Sequence, residues 1–313
     1  MKNIITWVAI LTLFAMSGLA LYSSQNNQKA LNPVNDLVGG LRAEVQTLIS
    51  KSTATINLGV PIGYVIEFEN GKKFYTSGDT GLMADMKLII GDYYEPDVAI
   101  LCVGDISAMG FETAAYATYL INPQYAIAEH YHSFPKLTSD LDGLGKALTK
   151  YGMEDKYLKF IEGETKDVLG IKVTWLGHSA WLFESPDGTR ILTDPNPENN
   201  PNWPEQYKDF LTLKPIDIIL ITHGHSDHVK AVDLRKLVSA LDDPIVMAQG
   251  ELAGWLKGAL PYNNMVGVGP GGHITKEKIK KAGISVEKVD KLADITIAVV
   301  SAGHSSSALP EVE

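Results

Sequence analysis

The apolar run from Ile216 to Ile221 leads through Thr222 into His223-Gly224-His225-Ser226-Asp227-His228, and no other stretch constrains the chain so strongly. The run reads as a buried strand, and the residues from Val229 to Leu241 read as a helix. The histidines therefore sit in a turn at the carboxyl end of a strand, where the sites of α/β sheets gather. Three imidazoles and a carboxylate this close together are donors suited to zinc and similar divalent ions. Gly224 and Ser226 keep the turn small enough for one loop to serve two neighbouring ions. A solvated histidine-rich loop is the plain alternative, and it explains neither the preceding strand nor the carboxylate.

Strands and helices alternate around this loop. Tyr64-Val65-Ile66-Glu67-Phe68, Asn70-Gly71 and Lys73-Phe74-Tyr75-Thr76 read as a hairpin, because Asn-Gly supplies positive φ angles. Asp97 to Val103 reads as a buried strand, Ala114 to Leu120 as a helix, Tyr125 to Ala128 as a short strand and Leu141 to Tyr151 as a helix. Further strands are expected at Val173–Leu176, Ala180–Glu184, Arg190–Thr193, Pro244–Ala248 and Ile295–Ser301. This mixture predicts layered sheets and helices, an α/β fold. His273, between glycines and Ile274, reads as a loop residue.

The amino terminus is of another kind. Lys2 precedes an apolar stretch from Ile4 to Tyr22 with Gly18 and Ala20 near its end, the pattern of an export signal or an uncleaved membrane anchor. Residues 1–22 are thus expected to direct the chain out of the cytoplasm, secreted or held at a membrane through residues 4–22. Residues 23–52 read as a linker or helical spacer, with Leu41, Val45, Leu48 and Ile49 at helical spacing. The formal net charge is −10, and no basic stripe carries interleaved aromatics, which argues against a nucleic-acid partner. Cys102, the single cysteine, lies in an apolar run and reads as a small buried hydrophobe.

The histidine loop resembles the His-x-His-x-Asp-His signature of the metallo-β-lactamase superfamily. The chain is most similar to its stand-alone metal-dependent hydrolases, near the ascorbate-6-phosphate lactonases. That similarity rests on Trp175-Leu176-Gly177-His178-Ser179-Ala180, Leu192-Thr193-Asp194-Pro195, the histidine loop and Gly303-His304-Ser305-Ser306. It rests equally on Gly78-Asp79-Thr80-Gly81-Leu82, Met109-Gly110, and His130-Tyr131 with Phe134-Pro135. The resemblance implies that His223, His225 and His304 hold one ion. It implies that Asp227, His228 and His130 hold a second, with Asp79 bridging the pair. His178, Asp194, Asp105 and His132 are candidates for orienting these ligands, since ligating imidazoles need outer partners. His132 departs from the pattern, which carries a small residue there.

The motifs stand in an unusual order. In the family the histidine loop precedes Gly-Asp-Thr-Gly, whereas here Asp79 and His130 come first. The resemblance therefore implies a circularly permuted αββα sandwich over residues 53–313, with 53–167 as the family's second half and 168–313 as its first. The permutation predicts that Glu313 lies near residues 53–60, because permutation needs neighbouring termini. A piece of two tandem copies is the rival account. The implied activity is hydrolysis of an ester, lactone or phosphodiester bond in a small-molecule substrate by a metal-bridged hydroxide. Two divalent ions are expected, zinc first, with manganese, iron or nickel as alternatives. Asp227 is the expected catalytic residue, orienting the hydroxide. No Gly-x-Ser-x-Gly elbow is present. The alternative is a metal-binding protein without catalysis.

Overall fold

Period-two alternation decides the architecture, and strand β10 (Ile218–Ile221) shows how. Ile218 and Leu220 face one apolar cluster, while Ile219 and Ile221 face another. A strand buried on both faces must lie inside a layered sheet. The computed structural model describes residues 39–40, 56–260 and 262–308, and Ile56–Ala308 forms one compact unit.

The first half of this unit supplies β1 (Ile56–Asn57), β2 (Ile62–Glu67), β3 (Lys73–Thr76), β4 (Val98–Cys102) and β5 (Tyr125–Glu129). A π-helical segment, Met86–Tyr94, and helices α1 (Phe111–Ile121) and α2 (Gly143–Leu148) lie among them. The second half supplies β6 (Thr165–Val168), β7 (Ile171–Trp175), β8 (Trp181–Glu184) and β9 (Arg190–Thr193) before β10. After it come α3 (Ala231–Ala240), β11 (Ile245–Gln249), α4 (Gly250–Ala259), β12 (Met265–Val268) and β13 (His273–Ile274). Helices α5 (Lys276–Lys281) and α6 (Val286–Asp290) precede β14 (Thr296–Ser301) and β15 (Ser307–Ala308).

One sheet, ordered β12-β11-β10-β9-β8-β7-β6, comes from a continuous stretch of chain, Thr165 to Val268. The other, ordered β13-β14-β2-β3-β4-β5, draws on both halves. Its seam is the antiparallel pairing of β14 with β2, from Thr296 opposite Glu67 to Ser301 opposite Ile62. A small third sheet pairs β1 with β15, so that Ile56 lies opposite Ala308. The two large sheets share one core, in which Trp175, Trp181 and Phe183 of the second half meet Phe68, Phe74 and Ile100 of the first. Phe74 and Phe183 pack edge to face at 5.9 Å. Fully burying one such side chain contributes about 1.5–3 kcal/mol, so this shared core binds the halves strongly. On the outer face of the second-half sheet, Leu234 and Leu237 of α3 and Leu252 and Leu256 of α4 cover Ile219, Ile221 and Val246. Ala114, Ala117 and Ile121 of α1 belong to the cluster of the mixed sheet.

The expected mixture of α and β elements is thus observed, with differences in detail. His273 is not in a loop but in β13, where it lies opposite Ala298 at an exposed sheet edge. Two residues of edge strand carry too little alternation to be read from sequence. The π-helical segment, β6, β12, α4, α5 and α6 are additional to the elements expected. Expectations for residues 1–22, residues 23–52 and Glu313 fall outside the described residues, apart from Gly39 and Gly40. Among the described residues no helix is long and apolar enough to cross a membrane.

Candidate metal centre

Every side chain of the expected metal set stands just beyond the carboxyl end of a strand. Asp79 follows β3, His130 follows β5, the histidine loop follows β10, and His304 follows β14. Close backbone approach makes this convergence feasible. Gly78 adopts φ +53°, and a Cβ there would lie 2.9 Å from both the Ile62 carbonyl and Thr222 Cβ. The Asp79 loop can therefore press against the start of the histidine loop only with glycine at this position.

The histidine loop itself is held from outside. The Asp194 carboxylate accepts hydrogen bonds from the Thr222 amide at 2.8 Å and the Thr222 hydroxyl at 2.7 Å. Its Oδ2 also lies 2.9 Å from His228 Nδ1. Asn196 and Asn199 both donate to the Ser226 carbonyl, at 2.6 and 3.0 Å. His228 Nε2 is thereby turned inward.

Two groups of donor atoms result. In the first, His225 Nδ1 lies 2.9 Å from His223 Nε2 and 3.1 Å from His304 Nε2. In the second, His130, His178, Asp227 and His228 each place one donor atom within 4.8 Å of the others. Asp79 reaches both. Its Oδ2 is 3.1 Å from His130 Nε2 and 3.6 Å from His304 Nε2, and its Oδ1 is 3.4 Å from His228 Nε2. His223, His228, Asp79 and His130 form a buried floor, whereas His225, His304 and Asp227 are partly open to solvent.

The electrostatics match this picture. Burial alone would push the Asp79 carboxyl up, but His130 and His228 outweigh it and hold the group well below its usual range. Burial likewise opposes charge on His130, yet Asp79 and Asp227 raise it to about 9. His228 is raised in the same way by Asp79 and Asp194. His223 goes down, through burial and its neighbour His228, as does His178, to about 4, through burial and His130. Imidazoles pushed down in this way favour the neutral form that ligates metals.

The donors fit a divalent cation. Asp79 Oδ1, His130 Nε2, His178 Nε2 and His228 Nε2 are all buried and lack any hydrogen-bond partner. Buried polar atoms are rarely left so, and several together facing one space are accounted for by an ion. Nitrogen and carboxylate oxygen are donors for zinc, manganese, iron or nickel alike.

Not every expected residue joins the cluster. Asp105 is exposed, at φ +68°, with its amide bonded to the Met109 carbonyl and its side chain beside Gly110. The tight loop after β4 turns it outward, which corrects its expected place as an outer partner of the ligands. His132 is corrected likewise. Its Nδ1 lies 3.1 Å from Glu162 Oε1, and its backbone turns it away from the ligands one residue past Tyr131. Asp194 does stand behind His228, and His178 places a donor atom within 4.8 Å of those of His130, Asp227 and His228.

Sequence reasoning missed several supports. The Tyr64 hydroxyl donates to the Ile221 carbonyl at 2.8 Å, tying β2 to the strand that carries the histidine loop. Trp181 Nε1 donates to Glu129 Oε2 at 2.6 Å, tying β8 to the residue before His130. Ser133 Oγ lies 2.6 Å from His178 Nδ1. None carries a local signal, since each partner is remote in sequence. The backbone offers a clearer sign. His130, His178 and Asp194 all adopt positive φ, a strain that clusters at functional sites, although Asp105 and His132 outside the cluster share it.

Comparison with known proteins bears on part of the chain. Residues 172–301 match the family described as Beta-lactamase superfamily domain. A UPF0173 metal-dependent hydrolase from Chloroflexus aurantiacus is 40% identical over 133 residues, covering 41% of this chain and 54% of that protein. Another from Methanosphaera stadtmanae is 44% identical over 88 residues, covering 28% of this chain and 38% of that protein. The chain therefore spans about half or less of the length of these relatives. Among solved structures, a metallo hydrolase from Ignicoccus hospitalis, Igni18, shares 37% identity over 34% of this chain and 45% of its own, with a TM-score of 0.31. The matched span contains the histidine loop, Asp194 and His178. Residues 172–301 are thus similar to the Beta-lactamase superfamily domain and to proteins named metal-dependent hydrolases.

Proposed function

We propose that the protein is a metal-dependent hydrolase that cleaves an ester or lactone, or a phosphodiester, in a small-molecule substrate. The observation that carries this reading is the set of buried, unpartnered donor atoms from Asp79, His130 and His228 beside the His223, His225 and His304 trio. When bound there, divalent ions supply Lewis acidity and a water-derived nucleophile at neutral pH. The chain's own residues do the rest. The buried floor holds its imidazoles in fixed orientations through Asp194, Thr222 and the backbone. Asp227, partly exposed and held well below its ordinary pKa by His130 and His178 against the pull of burial, stays an ionised carboxylate that can orient a water-derived nucleophile by accepting its hydrogen bond. The reading of a metal-binding protein without catalysis has no observation in its favour, since Asp79 is present and three of the donor side chains are open to solvent.

The test is metal analysis of the purified full-length chain, followed by assays on nitrophenyl esters, lactones, bis-nitrophenyl phosphate and a β-lactam. Two equivalents of metal and turnover of at least one substrate are expected. Stripping with a chelator is expected to abolish that turnover and lower the melting temperature, because an ion bound only to the native state stabilises it. Turnover that survives complete stripping refutes the proposal.

The same reading takes the two halves as standing in the reverse of the family's order. Its support is the β1–β15 pairing, which brings Ile56 opposite Ala308, and the β2–β14 seam. A chain that starts at Gly170, joins Ala308 to Ile56 through a short linker and ends at Leu169 is therefore expected to fold and to bind metal with unchanged stoichiometry. Failure to bind metal while folded would count against the reversed order. Residues 1–22 are read as an export or anchoring segment, on the strength of Lys2 and the apolar stretch to Tyr22. Fractionation of the cells that make the protein tests it, with cytoplasmic protein as the contrary result.

A further inference from the structure

His178 is 2% exposed, and it reaches the centre in a backbone conformation that an ordinary residue avoids, φ +53°. Its carbonyl accepts hydrogen bonds from Trp175 Nε1 at 3.0 Å and from the His130 amide at 3.1 Å, which fixes the strained turn to a second ligand-bearing loop. The Phe134 ring meets the imidazole edge-on at 5.3 Å. The side chain is thus locked in place.

The hydrogen bonding of its two nitrogens identifies what it is locked for. Ser133 Oγ donates to the Tyr131 carbonyl at 3.2 Å, and a carbonyl can only accept. With its proton on that carbonyl, Ser133 Oγ can accept from Nδ1–H of His178 across their 2.6 Å contact, the tautomer consistent with an Nε2 that has no hydrogen-bond partner. Nε2 is then a bare lone pair. It is buried, has no hydrogen-bond partner, and faces Asp227 Oδ2 at 3.4 Å. Two lone pairs turned toward each other in a buried site repel unless a cation lies between them. The same logic governs His228, where Asp194 meets Nδ1 and Nε2 is left facing the cluster. An outer partner on one nitrogen and an open lone pair on the other is the arrangement of a ligating histidine.

Building on the metal-centre reading above, we infer that His178 is a further metal ligand, sharing the second ion with His130, Asp227 and His228, and that Ser133 sets its tautomer. The inference moves His178 from a support behind the ligands to a ligand itself.

Cobalt titration of the metal-free, full-length chain tests this, read by calorimetry and by the visible absorption of the bound cobalt. The wild-type chain is expected to take two equivalents. His178→Ala is expected to weaken the second equivalent by about 100-fold or more and to change its visible spectrum. Ser133→Ala keeps the imidazole but frees its tautomer, and is expected to weaken the second equivalent by about 10-fold, with Ser133→Thr restoring it. Unaltered affinity and spectrum in a folded His178→Ala chain overturn the inference. If that variant does not fold, wild-type cobalt affinity in Ser133→Ala overturns it instead. A wild-type chain that takes up no cobalt fails at the metal-centre reading itself, whereas two equivalents bound identically by wild type and variant defeat only the role of His178.

Discussion

Asp79→Ala is expected to reduce bound metal from two equivalents to at most one, and hydrolytic turnover by at least about 100-fold. Even the loss of an outer partner of a metal ligand costs up to about 100-fold in affinity or activity. Asp79 is more central than that. Its two oxygens lie within 3.6 Å of nitrogens from His130, His228 and His304, so it serves both donor groups at once. Without it, His130 and His228 lose the negative charge that balances them in a buried site. Metal content by elemental analysis, with far-ultraviolet circular dichroism to verify folding, checks the expectation. A folded Asp79→Ala chain that keeps two ions would remove the bridging role.

Asp194→Ala is expected to cost stability more than any other single change near the site. Its carboxylate, 2% exposed, binds the Thr222 amide, the Thr222 hydroxyl and His228 Nδ1. Removing one partner of a buried charged pair leaves the other uncompensated, at a cost of about 3–5 kcal/mol. For a unit of this size that corresponds to a fall in melting temperature of roughly 6–20 °C. The effect should appear in the metal-free protein, because these bonds anchor the loop whether or not an ion is present. Metal affinity should fall as well, by about 10–100-fold, since His228 loses the partner that orients it. Asp194→Asn, which can still accept from the Thr222 amide, is expected to fall between the two. Thermal melts of the stripped proteins measure the first effect and metal titration the second.

The two effects have different origins, and the origins bear on how the site could be read. The histidine loop carries its own signal, because several donor types crowd into a few residues beside a glycine, whereas Asp79 between Gly78 and Gly81 reads by itself as a turn and gains its role from the resemblance. Asp194 was reached through its motif neighbours Thr193 and Pro195, and its hydrogen bonds explain why a carboxylate belongs there. Asp105 and His132 also lie in matching segments, yet their loops turn them outward. Local sequence cannot report such a turn, because the direction of a side chain depends on a backbone conformation imposed by tertiary contacts. Ser133, Tyr64 and the Glu129–Trp181 pair were silent for a related reason. Each acts through a partner 45 to 157 residues away.

Strand and helix content was legible where runs were long and alternation clear, as from Ile216 to Leu241. It was not legible in β13, too short to show a period, or in the π-helical segment Met86–Tyr94, where exposed Leu88, Ile89 and Tyr93 blur the apolar face made by buried Met86 and Ile90. By itself, the sequence determined the kind of chemistry available, since imidazoles and carboxylates at those spacings suit little other than a cation. It also determined which strands would be buried. Only the tertiary structure decided that His130 and Asp79 meet His228 in one molecule, because that meeting depends on β14 pairing with β2 and on a core shared by two sheets. Side-chain type is a local property; convergence of loops from distant strands is set by the burial of apolar surface across the whole unit.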